Sequence, residues 1–239
     1  MISFDERYKI QSKLGEGASA VVYLATDALT KKTVAIKIAH DVLTKHARFT
    51  GRWQREVILL TSLQHPRVVP LLDAQLQGGR LAMVMAYAKD NSLEFQLSNG
   101  CTVSQALKWL IQVLEGLAHV HSFGVIHQDI KPENILVNDD GNVWLADFSV
   151  ARTRAELLTN RQDVTGTPEW YSPEQRLRLA SEIGPWSDLY SWGKMLERLI
   201  ASISYRSGEL SQIVDGCIYV DPQQRFRSAG EIVPLMKEI

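Results

Sequence analysis

The stretch that most constrains this chain is His127-Gln128-Asp129-Ile130-Lys131-Pro132-Glu133-Asn134. It sets a carboxylate, a cation and a carboxamide at fixed offsets. Pro132 has no backbone N–H to donate and interrupts any helix, so the spacing predicts a rigid loop. Before it, the apolar positions Leu107, Leu110, Ile111, Leu114, Leu117, Ala118 and Val120 recur with helical period. They predict a long buried helix ending near Gly124. After it, Ile135-Leu136-Val137 reads as a short strand, 139–142 as a turn, and Val143-Trp144-Leu145-Ala146 as a second strand. A second acid, Asp147, follows that strand. Asp129 could take a proton from an attacking hydroxyl, and Lys131 could neutralise oxygens on a transferring phosphoryl group. Asn134 and Asp147 supply the oxygen ligands that Mg²⁺ prefers.

The first part of the chain reads differently. Residues 8–15 alternate loosely as a strand, then Gly15-Glu16-Gly17-Ala18-Ser19-Ala20 leads into the strand Val21-Val22-Tyr23-Leu24-Ala25. Two glycines between strands allow a tight hairpin whose N–H groups can lie over phosphates. A dinucleotide-binding fingerprint is excluded, because a strand and not a helix follows. Val34-Ala35-Ile36-Lys37-Ile38 is a strand with one lysine in an apolar run, and such a lysine needs a counter-charge when buried. Glu56 lies in a helical run with Trp53, Val57, Leu60 and Leu63 on one face. Residues 68–77 and 80–87 read as two more strands joined at Gly78-Gly79.

Composition excludes several classes. The chain has 239 residues, 45% hydrophobic and 22% charged, with a net charge of −1. These are globular values, long enough for two lobes with a real core. No basic field points to nucleic acid as a partner. The two cysteines, Cys101 and Cys217, form neither a disulfide framework nor a metal cluster, and imply a reducing, cytoplasmic compartment. The polar N-terminus lacks the apolar core of a signal peptide, and no apolar run approaches membrane-spanning length. The expectation is one cytosolic domain without tails; its oligomeric state is left open.

Taken together, these motifs resemble the protein kinase superfamily, and the resemblance covers about residues 8–238. It implies an α+β, bilobal fold. Residues 1–88 would be a small β-rich lobe with one main helix, and residues 89–239 a larger, mainly helical lobe. Lys37 and Glu56 match the ion pair that holds the α- and β-phosphates of ATP. Leu14, Val22, Ala35 and Leu136 would wall the adenine slot, and Gly15 and Gly17 would cover the phosphates. Met85 would be the gatekeeper, with Ala86 and Ala88 offering backbone groups to adenine. Asp90 or Ser92 would reach the ribose. Asp129 and Lys131 would be catalytic, and Asn134 and Asp147 would bind Mg²⁺ or Mn²⁺. Residues 166–174 resemble the peptide-docking end of a Ser/Thr kinase activation segment. By that match Thr167 bonds Asp129 and Lys131, Glu174 pairs with Arg225, and Asp188 caps the backbone of the 127 loop. The segment between the central helix and Arg225 is short, so the substrate-docking surface is reduced.

The sequence departs from the family pattern at three positions: Ala20 and Ser149 stand where glycine is usual, and Gln128 where arginine is. That arginine reads an activating phosphate. A neutral glutamine, with Asp163 in the usual phosphothreonine position, implies a kinase that does not need phosphate there. Thr153, Thr159 and Thr165 are candidate autophosphorylation sites. The expected activity is transfer of the γ-phosphoryl of MgATP to a protein hydroxyl. A nucleotide-binding pseudokinase scaffold and a small-molecule phosphotransferase are the alternative readings.

Overall fold

Alternation along the first ninety residues resolves into a five-stranded antiparallel sheet. The computed structural model describes residues 4–76, 80–89, 92–159, 168–202 and 208–239. Its contacts divide into two units, Met1–Gln64 with Val69–Lys89, and His65–Val68 with Asp90–Ile239.

In the first unit, helix α1 (Phe4–Arg7) leads into strands β1 (Tyr8–Glu16), β2 (Ala20–Asp27) and β3 (Thr33–Ala39). Helices α2 (Asp41–Thr44) and α3 (Ala47–Ser62) follow, then β4 (Leu71–Gln75) and β5 (Ala82–Ala86). The sheet order is β1-β2-β3-β5-β4. Register sorts the side chains by period two. Ala25, Val34, Ile36, Ala82 and Val84 pack with Tyr8 into a buried cluster. The alternate positions put Val22 opposite Lys37 and Ala35 opposite Met85, so these four share the other face.

Two strands are shorter than the sequence pattern predicts. Residues 68–77 become a strand only from Leu71, because Val68 bridges Leu145 of the second unit's own residues and Pro70 cannot donate to a ladder. Residues 80–87 pair only over Ala82–Ala86. In α3 the buried stripe is Trp53, Glu56, Leu59 and Leu60, with Leu63 just beyond; Val57 is only half-buried. A carboxylate thus sits inside an apolar stripe. Ala20 opens β2 outside the left-handed region, so glycine's extra freedom is not used there.

In the second unit, α4 (Leu93–Ser98) precedes the buried helix α5 (Val103–Ser122). Thr102 caps α5 by accepting from the Gln105 N–H, and Gly124 follows its end at φ 68°. Strand β6 (Val125–Ile126) opens the 127 loop, and Pro132 starts a single 3₁₀ turn, Pro132–Asn134. Then come the hairpin β7 (Ile135–Val137) and β8 (Val143–Leu145), and β9 (Arg152–Thr153), which pairs with β6. Helices α6 (Arg154–Thr159), α7 (Pro173–Arg176), α8 (Pro185–Ser202), α9 (Gly208–Ile218) and α10 (Ala229–Lys237) complete the unit. Helix α8 docks on α5 through Trp192, fully buried, whose indole N–H donates to the Leu110 carbonyl at 2.9 Å. Gly193 lets α9 approach, since a Cβ there would lie 2.4 Å from Cys217 Cβ.

The expected Glu174–Arg225 pair is present and fully buried, with Nη1–Oε1 at 2.8 Å and Nη2–Oε2 at 2.9 Å. Ser187 Oγ donates to Glu174 Oε1 at 2.6 Å. Expectations resting on Gly78, Gly79, Asp90, Asp163, Thr165, Gly166, Thr167 and residues 203–207 lie outside the described residues, as does the side chain of Thr159. Among the described residues, no helix is long and apolar enough to cross a membrane.

Burial alone would raise the Glu174 pKa, but the hydrogen bonds from Arg225 and Ser187 outweigh it and leave the carboxyl below its ordinary 4.5. A lowered folded pKa contributes stability above the unfolded value, and that stability is lost as pH falls. Arg225→Met strands the carboxylate and should cost about 3–5 kcal/mol at pH 7. The urea midpoints of the wild type and Glu174→Gln should differ at pH 7 and converge as pH drops below about 4.5.

Candidate active site

The chemistry-bearing side chains form two groups, one in each unit. In the first unit, Lys37 Nζ lies 2.8 Å from Glu56 Oε1. Strand β3 presents Lys37 and the buried face of α3 presents Glu56, whose side chain is 2% exposed. The ammonium also lies 5.7 Å from the centre of the Trp53 ring. A buried carboxylate without a cation would cost several kcal/mol, so each charge makes the other tolerable. Val22, Ala35 and Met85 lie on the same sheet face as Lys37. Leu14 falls in the β1 irregularity between Lys13 and Gly15 and is exposed. Gly15 pairs with Val22, and the Gly17 N–H donates to the Ala20 carbonyl, closing the turn. The Ala86 N–H is already taken by the Pro70 carbonyl at 3.0 Å, so it is no donor for a nucleotide; Ala88 is buried.

In the second unit, the 127 loop draws its polar groups around Asp129. Lys131 Nζ is 2.9 Å from Asp129 Oδ2, and Asn134 Nδ2 donates to the same oxygen at 2.7 Å. Asn134 Nδ2 also donates to the Asp129 carbonyl at 2.9 Å. The other carboxylate oxygen, Oδ1, is buried and has no hydrogen-bond partner among the described residues. Unsatisfied buried acceptors are rare because they cost about 1–3 kcal/mol. The phenol of Tyr171 is also buried and has no partner among the described residues, and burial together with the Asp129 charge pushes its pKa up to about 12.

Backbone strain accompanies this cluster. Gln128 and Asp147 adopt φ of 68° and 60°, the left-handed region, which costs a non-glycine residue about 1–2 kcal/mol. Asp188, buried on α8, holds the first of them. Its Oδ2 accepts from the His127 N–H and its Oδ1 from the Gln128 N–H, both at 2.8 Å. His121 Nε2 lies 2.8 Å from Oδ2 as well. The His127 ring reaches the Ala146 carbonyl at 3.1 Å and packs on Phe148, tying the loop to the Asp147 segment. Ser149 avoids the left-handed region, so its serine is compatible with the backbone.

The donor set near Asp129 fits a hard divalent cation. Asn134 commits its amide nitrogen to Asp129, which leaves its oxygen as the donor for a cation, and Asp147 follows β8 as a second oxygen donor. Leu136 is half-buried in β7, and Ser92 bridges to it from the start of α4.

Sequence reasoning missed three participants: His121 on Asp188, Tyr171 beside Asp129, and Gln175, whose side chain donates to the Gln128 carbonyl. For Gln175 a signal existed. Ser172-Pro173-Glu174-Gln175 has the spacing of a capping box with proline at the first helical position, and the box is formed.

A five-stranded sheet unit with a lysine–carboxylate pair, and a helical unit carrying Asp129, Lys131, Asn134 and Asp147 on one loop and hairpin, define a kinase-type phosphotransferase fold. The chain belongs to the protein kinase domain family, whose sequence model matches residues 8–214. It is 35% identical over 205 residues to serine/threonine-protein kinase pkn2 of Myxococcus xanthus, covering 82% of this chain and 24% of that protein. It is 34% identical over 198 residues to serine/threonine-protein kinase PrkC of Bacillus subtilis, covering 81% and 30%. Likewise it is 34% identical over 224 residues to serine/threonine-protein kinase cds1 of Schizosaccharomyces pombe, covering 89% and 49%. The chain therefore spans from a quarter to a half of the length of these curated relatives.

Asp188→Ala leaves buried N–H groups of the 127 loop without an acceptor. It should destabilise the protein by about 2 kcal/mol or more, measured by chemical denaturation.

Proposed function

We propose that residues 1–239 form a Ser/Thr protein kinase domain that transfers the γ-phosphoryl group of ATP to a protein hydroxyl. One observation carries the reading. Asp129 has one oxygen paired with Lys131 and bonded by Asn134, and the other buried without a partner among the described residues. Such an acceptor suits the proton of an incoming Ser or Thr hydroxyl. The names of the relatives support protein as the acceptor.

The reading gives each group a role. Asp129 orients the hydroxyl and takes its proton at Oδ1. Lys131, already beside Asp129, offsets negative charge at the transferring group. Lys37, fixed by Glu56, holds phosphate oxygens. Val22, Ala35 and Met85 on one sheet face, with Leu14 and Ala88, contact the adenine, and Gly15 and Gly17 add no side chain of their own to the phosphate-covering turn. Asn134 and Asp147 would hold Mg²⁺ or Mn²⁺, which when bound neutralises the phosphate oxygens and fixes their geometry. Oxygen donors of this kind match those ions.

Independence from an activating phosphate is part of the proposal. Gln128 is neutral, and its side-chain amide donates to the Val150 carbonyl at 2.8 Å. A neutral contact thus occupies the place where a cation would read a phosphate. Thr153, one of the candidate autophosphorylation sites, is engaged with Glu156, its hydroxyl 3.1 Å from Oε2.

With radiolabelled ATP and a generic basic protein, Asp129→Ala should lower kcat by about 10²–10⁴-fold with the fold retained. Equal turnover in the variant and the wild type would refute the assignment. Lys37→Met removes a charge-assisted contact worth about 1.5–3 kcal/mol and should lower kcat/KM for ATP by about 10–100-fold. Protein stripped of all phosphate should keep its activity; complete loss on phosphatase treatment would overturn the phosphate-independent reading.

A further inference from the structure

Gln128, strained and immediately before Asp129, is held from three directions. Asp188 on α8 takes its N–H, the Val150 carbonyl takes its side-chain amide, and Gln175 on α7 donates Nε2 to its carbonyl at 2.9 Å. The first two act on the amide before Gln128 and on its side chain. The third acts on the peptide group that joins Gln128 to Asp129. The N–H of that same peptide donates to His127 Nδ1 at 3.3 Å, a longer contact. Gln175 is therefore the shorter of two restraints on the peptide plane from which the Asp129 side chain departs.

The Gln175 amide has one orientation. The residue is 2% exposed, and its Oε1 accepts from the Ser172 N–H at 3.1 Å and from Ser172 Oγ at 3.0 Å. Flipping the amide would set oxygen against the Gln128 carbonyl and nitrogen against the Ser172 N–H. One end of the side chain thus closes the cap of α7, while the other reaches across 47 residues to the catalytic loop.

We propose that Gln175 is a positioning residue for phosphoryl transfer: its amide fixes the Gln128–Asp129 peptide and so the aim of the Asp129 carboxylate. This rests on the kinase reading above. An imposed orientation at the proton acceptor should be felt in kcat and not in ATP binding.

Capping and positioning can be separated. Gln175→Glu keeps an oxygen toward Ser172 but replaces the donor facing the Gln128 carbonyl with a carboxylate oxygen. Its kcat should fall about tenfold, with KM for ATP within about twofold. The ratio of its kcat to that of the wild type should rise as pH is lowered, because a protonated carboxyl can again donate. Ser172→Ala removes the hydroxyl of the cap and leaves the Gln175–Gln128 bond. It should keep kcat within about twofold. Gln175→Met holds the volume without polar atoms, and should show the kcat loss with no recovery at low pH. Hydrogen exchange over residues 127–134 should quicken in both Gln175 variants and not in Ser172→Ala. Equal kcat and equal exchange in the Gln175 variants and the wild type would overturn the proposal, as would matching losses in Ser172→Ala. A wild type that transfers no phosphate would instead overturn the kinase reading, and the exchange data would still decide whether Gln175 restrains the loop.

Discussion

One buried carboxylate carries much of the second unit's organisation. Asp188 is 1% exposed and accepts hydrogen bonds from consecutive backbone N–H groups of the 127 loop, with His121 on its flank. A loop that turns through the left-handed region cannot satisfy its own amides by helix or ladder bonding. An acceptor supplied by α8 does so, and α8 is itself fixed against α5 by Trp192. The strain at Gln128 is thus sustained by packing well away from Asp129, and the Asp129 loop inherits the rigidity of the helical core.

The same logic recurs in the buried charges. Glu56 interrupts an apolar stripe on α3 and is tolerable because Lys37 meets it. Glu174 and Arg225 are sealed from solvent and tie α7 to the turn before α10 through two parallel contacts. In each case a charge that would be expensive alone becomes a geometric constraint when paired. Such pairs specify where elements meet.

Much of this was legible along the chain. The helix over 103–122, the hairpin after Asn134 and the strands around Lys37 follow from apolar period and turn residues. The resemblance to protein kinases also anticipated the Lys37–Glu56 and Glu174–Arg225 pairs and the cap by Asp188. Other features were not legible. Periodicity marked Val57 as core, but packing buried Leu59. Ala20 and Ser149 stand where the family usually has glycine, yet neither sits where glycine's freedom is needed. Backbone dihedral angles are a property of the folded segment, and residue type reports them only loosely.

The sequence by itself determined the chemical inventory and its local frames. Asp129, Lys131 and Asn134 lie within one tight loop, so their mutual spacing is written in the chain, and Val22, Ala35, Lys37 and Met85 sort to one face by strand alternation once the register is set. Only the tertiary structure decided which carboxylate oxygen of Asp129 is shared by Lys131 and Asn134, that Gln128 is strained, and that Gln175 reaches its carbonyl. Those outcomes depend on contacts between residues tens of positions apart. Local propensity carries no term for such contacts, because closing the intervening chain is favourable only when the whole core forms.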